Sequence, residues 1–263
     1  MMKVLAGSAV PALFSLAACA QPGPLFKATF DTWNTAPDVA VEKGVLKEGI
    51  DPELQLRMCA DVRGPGVKGN ALSLTVPEYV AYPCGGNFRP DRGTVLFWVR
   101  PMNYTLADSK HFQPYFSVEA QGYQFYVYKY YQRPEQLTVF MRYKGRNYTC
   151  FAPAKWAREQ WHHVAVAWDP NGIAIYIDGA EAKRTTIDPP GDLPRQGDLR
   201  GAKIALGDPR PWSSLVEGRL TQFDDLALYG RVLPAKEIFD VFAAARPDLA
   251  ANAQAPVAAE ETA

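Results

Sequence analysis

The sequence predicts an all-β sandwich, on three observations. Apolar residues recur with a period of two in short runs, Gly, Pro, Asn and Asp punctuate those runs, and no 3.6-residue period appears until the last turns of the chain. With 263 residues, 48% of them hydrophobic, the chain can enclose one sizeable core, and no internal repeat suggests a second. Lys plus Arg and Asp plus Glu both number 28. No global field therefore draws in nucleic acid or anionic lipid, and a nucleic-acid partner is not expected.

The two ends stand apart from this pattern. Residues 1–20, "MMKVLAGSAVPALFSLAACA", set one lysine before an apolar run of small residues, which is the build of an export signal. Its end, "LAAC" (Leu16 to Cys19), resembles a bacterial lipobox. That makes Cys19 the expected lipid attachment, 1–19 the signal peptide and 20–24 a tether. The protein is then expected as a lipoprotein of the cell envelope, at the outer membrane or cell surface, touching the bilayer only through its anchor. Ala18-Cys19-Ala20 also reads as an A-x-A site that releases a soluble secreted protein, and this alternative stays open. Residues 246–263 are poor in aromatic and β-branched residues and rich in Ala, Pro and Glu, the composition of a disordered tail, which leaves 25–245 for the domain.

Cys59 and Cys84 flank the strand-like "NALSLTVPEYV" and are the expected disulfide, a closure worth about 3 kcal/mol for a loop of that length. Three free thiols, Cys150 included, are the other possibility.

Taken in order, "GTVLFWVRP" (Gly93 to Pro101) points Val95, Phe97 and Val99 to one face and Leu96, Trp98 and Arg100 to the other, and proline closes the run. "YQFYVYKYY" alternates Phe125 and Val127 against Tyr126, Tyr128 and Tyr130. "QLTVFMRYKGRNYTCF" reads as a hairpin with Leu137, Val139 and Met141 inward and its turn at Lys144-Gly145. "WHHVAVAWDPNGIAIYIDG" is a second hairpin around Asp169 to Gly172, and Asp178-Gly179 makes a further reversal into "AEAKRTTI". "VLPAKEIFDVFAA" is the one helix, entered through a proline.

Four of these segments, "GTVLFWVRP", "WHHVAVAWDPNGIAIYIDGAEAKR", "KIALGDP" and "GRLTQFDDLALYGRVLPAKEI", resemble in order and spacing the laminin-G-like jelly roll of the concanavalin A-like lectin/glucanase superfamily. "LFKATFDTW" and "GVKGNALSLTVPEYVAY" resemble its first two strands. The resemblance implies a two-sheet antiparallel jelly roll with a short C-terminal helix. It leaves function open, because the same sandwich hosts sugar binders, protein-binding modules and hydrolases. It also implies one structural Ca²⁺ where the first and last strands meet, with Asp31 and Asp224 or Asp225 as ligands.

Catalytic chemistry finds little support. Retaining glycosidases of this superfamily carry E-x-D-x-x-E on one strand, and no E-x-D occurs; Glu119 and Glu135 stand alone. His162 and His163, adjacent on a strand, point to opposite faces and cannot share one zinc ion. No G-x-S-x-G occurs either. Binding is the better-supported class. With the apolar face turned inward, Trp98, Arg100, Tyr126, Tyr128, Phe140, Arg142 and Tyr176 face outward as candidate ligand residues, aromatic rings stacking on sugars and arginines bonding hydroxyls or carboxylates. Loops such as "PMNYTLADSKHFQPY" could instead cover that face. The expectation is a non-catalytic module for a glycan or an envelope protein. A hydrolase with an unfamiliar active site and a structural envelope protein are the alternatives.

Overall fold

A computed structural model describes residues 23–31, 35–43, 63–76, 78–108, 112–199, 201–207 and 218–251. The proposed signal peptide, Cys19 and Cys59 lie outside the described residues. The strands in chain order are β1 (Phe26–Ala28), β2 (Val39–Ala40), β3 (Arg63–Pro65), β4 (Asn70–Thr75), β5 (Tyr79–Pro83), β6 (Gly93–Pro101), β7 (Gln113–Ala120) and β8 (Tyr123–Lys129). They continue with β9 (Gln136–Tyr143), β10 (Arg146–Pro153), β11 (His162–Asp169), β12 (Gly172–Ile177), β13 (Ala180–Thr186), β14 (Lys203–Gly207) and β15 (Leu220–Tyr229), followed by helices α1 (Ala235–Ala245) and α2 (Pro247–Ala250).

These strands form two antiparallel sheets packed face to face, the sandwich that the alternation predicts and the jelly roll that the resemblance implies. A nine-stranded sheet runs β13-β12-β11-β6-β15-β1-β2, with β4 paired to β15 and β3 to β4. A six-stranded sheet runs β10-β9-β8-β7-β14-β5. Val95, Phe97, Val99, Phe125, Val127, Val164 and Val166 all lie in the main core between the sheets, completely buried. Trp168 stacks on Phe88 at 5.1 Å within that core. The thiols of Cys84 and Cys150 are buried and free, and Cys84 is a core side chain; its expected partner, Cys59, lies outside the described residues. Burial, reinforced by the Glu42 charge, pushes the Cys84 thiol up to about 12.

The expected turns hold. Lys144 and Gly145 have φ of 48° and 77°, and Asp178 and Gly179 have 51° and 83°. Two consecutive positive φ values match the right-handed twist of the flanking strands. At Gly179 the space is also short: a Cβ would stand 2.7 Å from the Phe242 ring, so glycine lets α1 close onto the turn.

α1 lies on the outer face of the nine-stranded sheet. Leu233 and Ile238 pack there on Leu96, Ala165, Ala167, Ala174, Tyr176 and Ala227. The three alanines on β11 and β12 leave the height a helix needs. Trp98 is enclosed beside them, its ring 5.8 Å from Phe242 and 5.1 Å from His163. The chain beyond α1 is more ordered than its composition suggests: α2 stands within the expected tail, with Pro247 in its first turn.

Phe242→Ala removes the ring that closes this outer layer, and is expected to lower unfolding free energy by about 3 to 5 kcal/mol in urea denaturation. Val241→Ala, on the 39% exposed side of the same helix, should shift it by less than about 0.5 kcal/mol.

A candidate ligand-binding face

The outer face of the six-stranded sheet is built from side chains that alternate with the core. Phe125 and Val127 point inward from β8, so Gln124, Tyr126 and Tyr128 point out. By the same alternation β9 presents Gln136, Thr138, Phe140 and Arg142, and β10 presents Asn147, Thr149 and Phe151. The register sets these in rows. Tyr126 lies opposite Phe140, and Phe140 opposite Thr149. Tyr128 lies opposite Thr138, and Thr138 opposite Phe151.

The rings form a connected surface. Tyr126 and Phe140 stack with centroids 6.3 Å apart, and Tyr128 stands edge-on to Tyr126 at 6.4 Å. Phe112 stacks on Tyr128 at 4.6 Å, and the Arg133 guanidinium sits 4.0 Å above the Phe151 ring. Tyr128, Phe140 and Phe151 are half-buried, and Tyr126 is 8% exposed. Beneath the rings Thr138 is fully buried, and its hydroxyl has no protein partner. Phe151 was not among the sequence candidates, although its place between inward Cys150 and Ala152 carries the signal.

The seven sequence candidates do not share this face. Tyr126, Tyr128, Phe140 and Arg142 are on it; Trp98, Arg100 and Tyr176 belong to β6 and β12 of the other sheet. Trp98 and Tyr176 do point away from the core, as alternation requires, but α1 covers them to 1% and 2% exposure. The Tyr176 hydroxyl donates to Glu181 and accepts from Arg184, each at 3.1 Å. Arg100 donates through Nε to Gln222 Oε1 at 2.7 Å and lies 4.8 Å over Trp161. The helix encloses Trp98 and Tyr176, whereas Arg100, half-buried, is held to Gln222 and Trp161.

The two histidines are also structural. His163 is buried against Trp98 and Phe242, and desolvation holds its imidazole down to about 4. His162 stacks on Trp156, and its Nδ1 lies 2.9 Å from Asp178 Oδ2; the other oxygen of Asp178 accepts the His163 amide at 2.8 Å. Asp169 caps its own turn, accepting from the amides of Asn171 and Gly172.

The acidic corner expected to hold calcium forms at a break in β15. The register shifts between Asp224 and Ala227, and Asp225 takes a φ of 47°. Before the shift β15 pairs with β4, and after it with β1. Asp224 Oδ2 accepts the amides of Val67 at 2.7 Å and Lys68 at 3.3 Å, while Oδ1 accepts that of Asp225 at 2.8 Å. Asp31 Oδ1 accepts the Asn70 amide at 3.1 Å, and Asp225 pairs with Lys27 at 3.8 Å. Both oxygens of Asp224, and Oδ1 of Asp31 and of Asp225, are thus turned to the chain itself. Among the described residues no group of three metal-ligating side chains converges, whereas Ca²⁺ asks for six to eight oxygens. As arranged, these acids do not offer that ion a ligand set; Asp224 pins the 66–70 turn onto β15, Asp31 holds Asn70, and Asp225 pairs with Lys27. Desolvation, with the Asp225 charge alongside, pushes Asp224 up to about 7.

Residues 75–239 match the Laminin G 3 family model, described as concanavalin A-like lectin/glucanases superfamily. No curated protein resembles the chain in sequence. Among solved structures, the binding domain of Paraclostridial Mosquitocidal Protein 1 is similar with a TM-score of 0.63 at 12% identity, over 84% of this chain and 52% of that one. The receptor binding domain of botulinum neurotoxin mosaic serotype C/D gives 0.62 at 11% identity, over 84% and 51%. Domain 4 of AbnA, a GH43 extracellular arabinanase from Geobacillus stearothermophilus, solved in complex with arabinotriose, gives 0.61 at 18% identity, over 83% and 98%. This chain spans about half the length of the first two and nearly all of the third. At identities this low the likeness speaks to fold alone.

His163 and Asp224 give opposite pH dependences. A base held below its unfolded value stabilises the fold above about pH 6.5, and that contribution is lost as pH falls toward 4. An acid held above its unfolded value stabilises below about pH 4, and that contribution is lost as pH rises toward 7. In thermal melts from pH 4 to 7.5, Asp224→Asn should therefore gain stability relative to wild type as pH rises. His163→Leu should lose it, each by a few kcal/mol at about 1.4 kcal/mol per pKa unit.

Proposed function

Because the chain belongs to the concanavalin A-like lectin/glucanase superfamily, we propose that it is a non-catalytic binding module whose ligand is a carbohydrate. The observation that carries this reading is the aromatic surface of Tyr126, Tyr128, Phe140 and Phe151 on the outside of the six-stranded sheet. Such rings offer flat apolar area for the C–H side of a pyranose, at little entropic cost because two χ angles fix each ring. Gln124, Thr149 and Asn147 stand beside them as hydrogen-bonding partners for hydroxyls.

The acids on that face support binding over hydrolysis. Glycoside hydrolysis uses two carboxylates flanking the scissile bond. Among the described strand residues of this face the only carboxylate is Glu119, cross-strand from Lys203 and Gln124, and Glu135 lies in the turn before β9. Two of the similar structures are binding domains, and the third, a domain of an arabinanase, was solved with arabinotriose bound. The module's place is the bacterial cell envelope, exported by the signal peptide of residues 1–19 and held by a lipid on Cys19, a reading that rests on "LAAC".

Phe140→Ala and Tyr128→Ala are expected to weaken binding of an oligosaccharide found by glycan array at least fivefold each, on about 1 kcal/mol or more per stacked ring. Melting temperature should change little, because both side chains are half-buried outside the main core. Lost stability with unchanged binding would assign the rings to packing, and an array with no positive glycan would leave a protein ligand. Metabolic labelling with palmitate should mark wild type and spare Cys19→Ser; an unlabelled wild type removes the anchor.

A further inference from the structure

The end of the six-stranded sheet carries a feature that the aromatic surface does not account for. A cleft of about 490 Å³ opens between the β7–β8 turn and the β9–β10 turn, lined by Gln121, Gly122, Gln124, Arg142, Lys144 and Gly145. That volume falls in the range of small-ligand sites. Gly122 and Gly145 have no other atoms near the position of a Cβ, so both turn tips are open to solvent.

The charges in the cleft are unequal. Lys144 is balanced by Asp192 at 2.8 Å. Arg142 is exposed, and among the described residues no acid pairs with it. It lies directly across from Gln124 on one side and Asn147 on the other, so a guanidinium fork is flanked by two side-chain amides. One same-face step along β8 and β9, about 7 Å, leads from Gln124 and Arg142 to Tyr126 and Phe140. The cleft and the stacked rings are therefore consecutive positions on one surface.

We propose that this cleft takes the carboxylate-bearing unit of an acidic glycan, a hexuronate, while the next sugar stacks on Phe140. The inference rests on the reading of the aromatic face as a carbohydrate platform and names the ligand class. Arg142 holds the carboxylate in its planar fork, a geometry that suits the two oxygens better than a point charge does. Gln124, Gln121 and Asn147 bond the flanking hydroxyls. Lys144, already neutralised, shapes the wall and adds little to affinity.

The test is calorimetric titration of the full chain with trigalacturonate, trimannuronate, the methyl ester of trigalacturonate and arabinotriose. The acid is expected to bind at least tenfold more tightly than its ester, a gap of one charge-assisted contact. Arg142→Gln should close that gap without lowering melting temperature, Arg142→Lys should keep part of it, and 0.5 M NaCl should shrink it, because the site is exposed and screened. Equal affinity for acid and ester, or a preference for acid that survives Arg142→Gln, overturns the inference and leaves the platform standing. Binding of arabinotriose with neither uronate bound does the same. If no carbohydrate of any kind binds, the platform reading falls and the inference with it.

Discussion

Packing of α1 on the nine-stranded sheet decides which surface of the sandwich is left for a ligand. Two stacked sheets have two outer faces, and here one of them is closed by Leu233, Ile238 and Phe242 resting on β6, β11 and β12. The closure depends on small residues below the helix, Ala165, Ala167 and Ala174, and on Gly179, which brings the neighbouring turn against Phe242. Apolar burial drives it, and aromatic contacts between Trp98, His163 and Phe242 add to it. With that part of the sheet covered, the outward rings of β6 and β12 are enclosed, while Tyr128, Phe140 and Phe151 on β8, β9 and β10 stay half-buried at the surface.

Polar groups taken into the interior serve the same rigidity. Asp224 anchors the 66–70 turn through Oδ2, which accepts the amides of Val67 and Lys68, and Gly66 makes room for it, since a Cβ there would stand 2.4 Å from the carboxylate. At the end of the sandwich remote from the cleft, Arg219 pairs with Asp108 at 3.6 Å and lies 4.8 Å over Tyr104, whose hydroxyl meets Thr221 at 2.8 Å. Lys129 donates to the Asp108 carbonyl, and its burial, with Arg219 nearby, brings its ammonium down to about 8. Removing one member of such a network leaves the others desolvated and unpaired, so these groups hold Tyr104 and Asp108 in one arrangement.

Local features were legible in the sequence, and long-range ones were not. Alternation placed Val95, Phe97, Val99, Phe125, Val127, Val164 and Val166 in the core, and Lys144-Gly145 and Asp178-Gly179 in turns with positive φ, because pleat and turn chemistry act within a few residues. Alternation also put Trp98 and Tyr176 on the outward side correctly. It could not tell outward from exposed, because the covering element lies more than fifty residues further along the chain. Nor could it show that β6 and β12 sit in one sheet while β8 and β9 sit in the other. The acids were recognised as neighbours from the meeting of first and last strands, yet their partners, the amides of Val67, Lys68 and Asn70, belong to a turn with no marker beyond its glycines.

The two turns that wall the cleft, Gln121-Gly122 and Lys144-Gly145, end their ladders with open tips, and the second is tied to the rest of the chain by the Lys144–Asp192 pair. Lengthening either by a residue or two would disturb no strand pairing and no core contact, yet would change the depth of the cleft and the side chains that line it. Descent within this fold can therefore trade ligands at that rim by insertion and deletion alone, while the sandwich behind it is inherited unchanged.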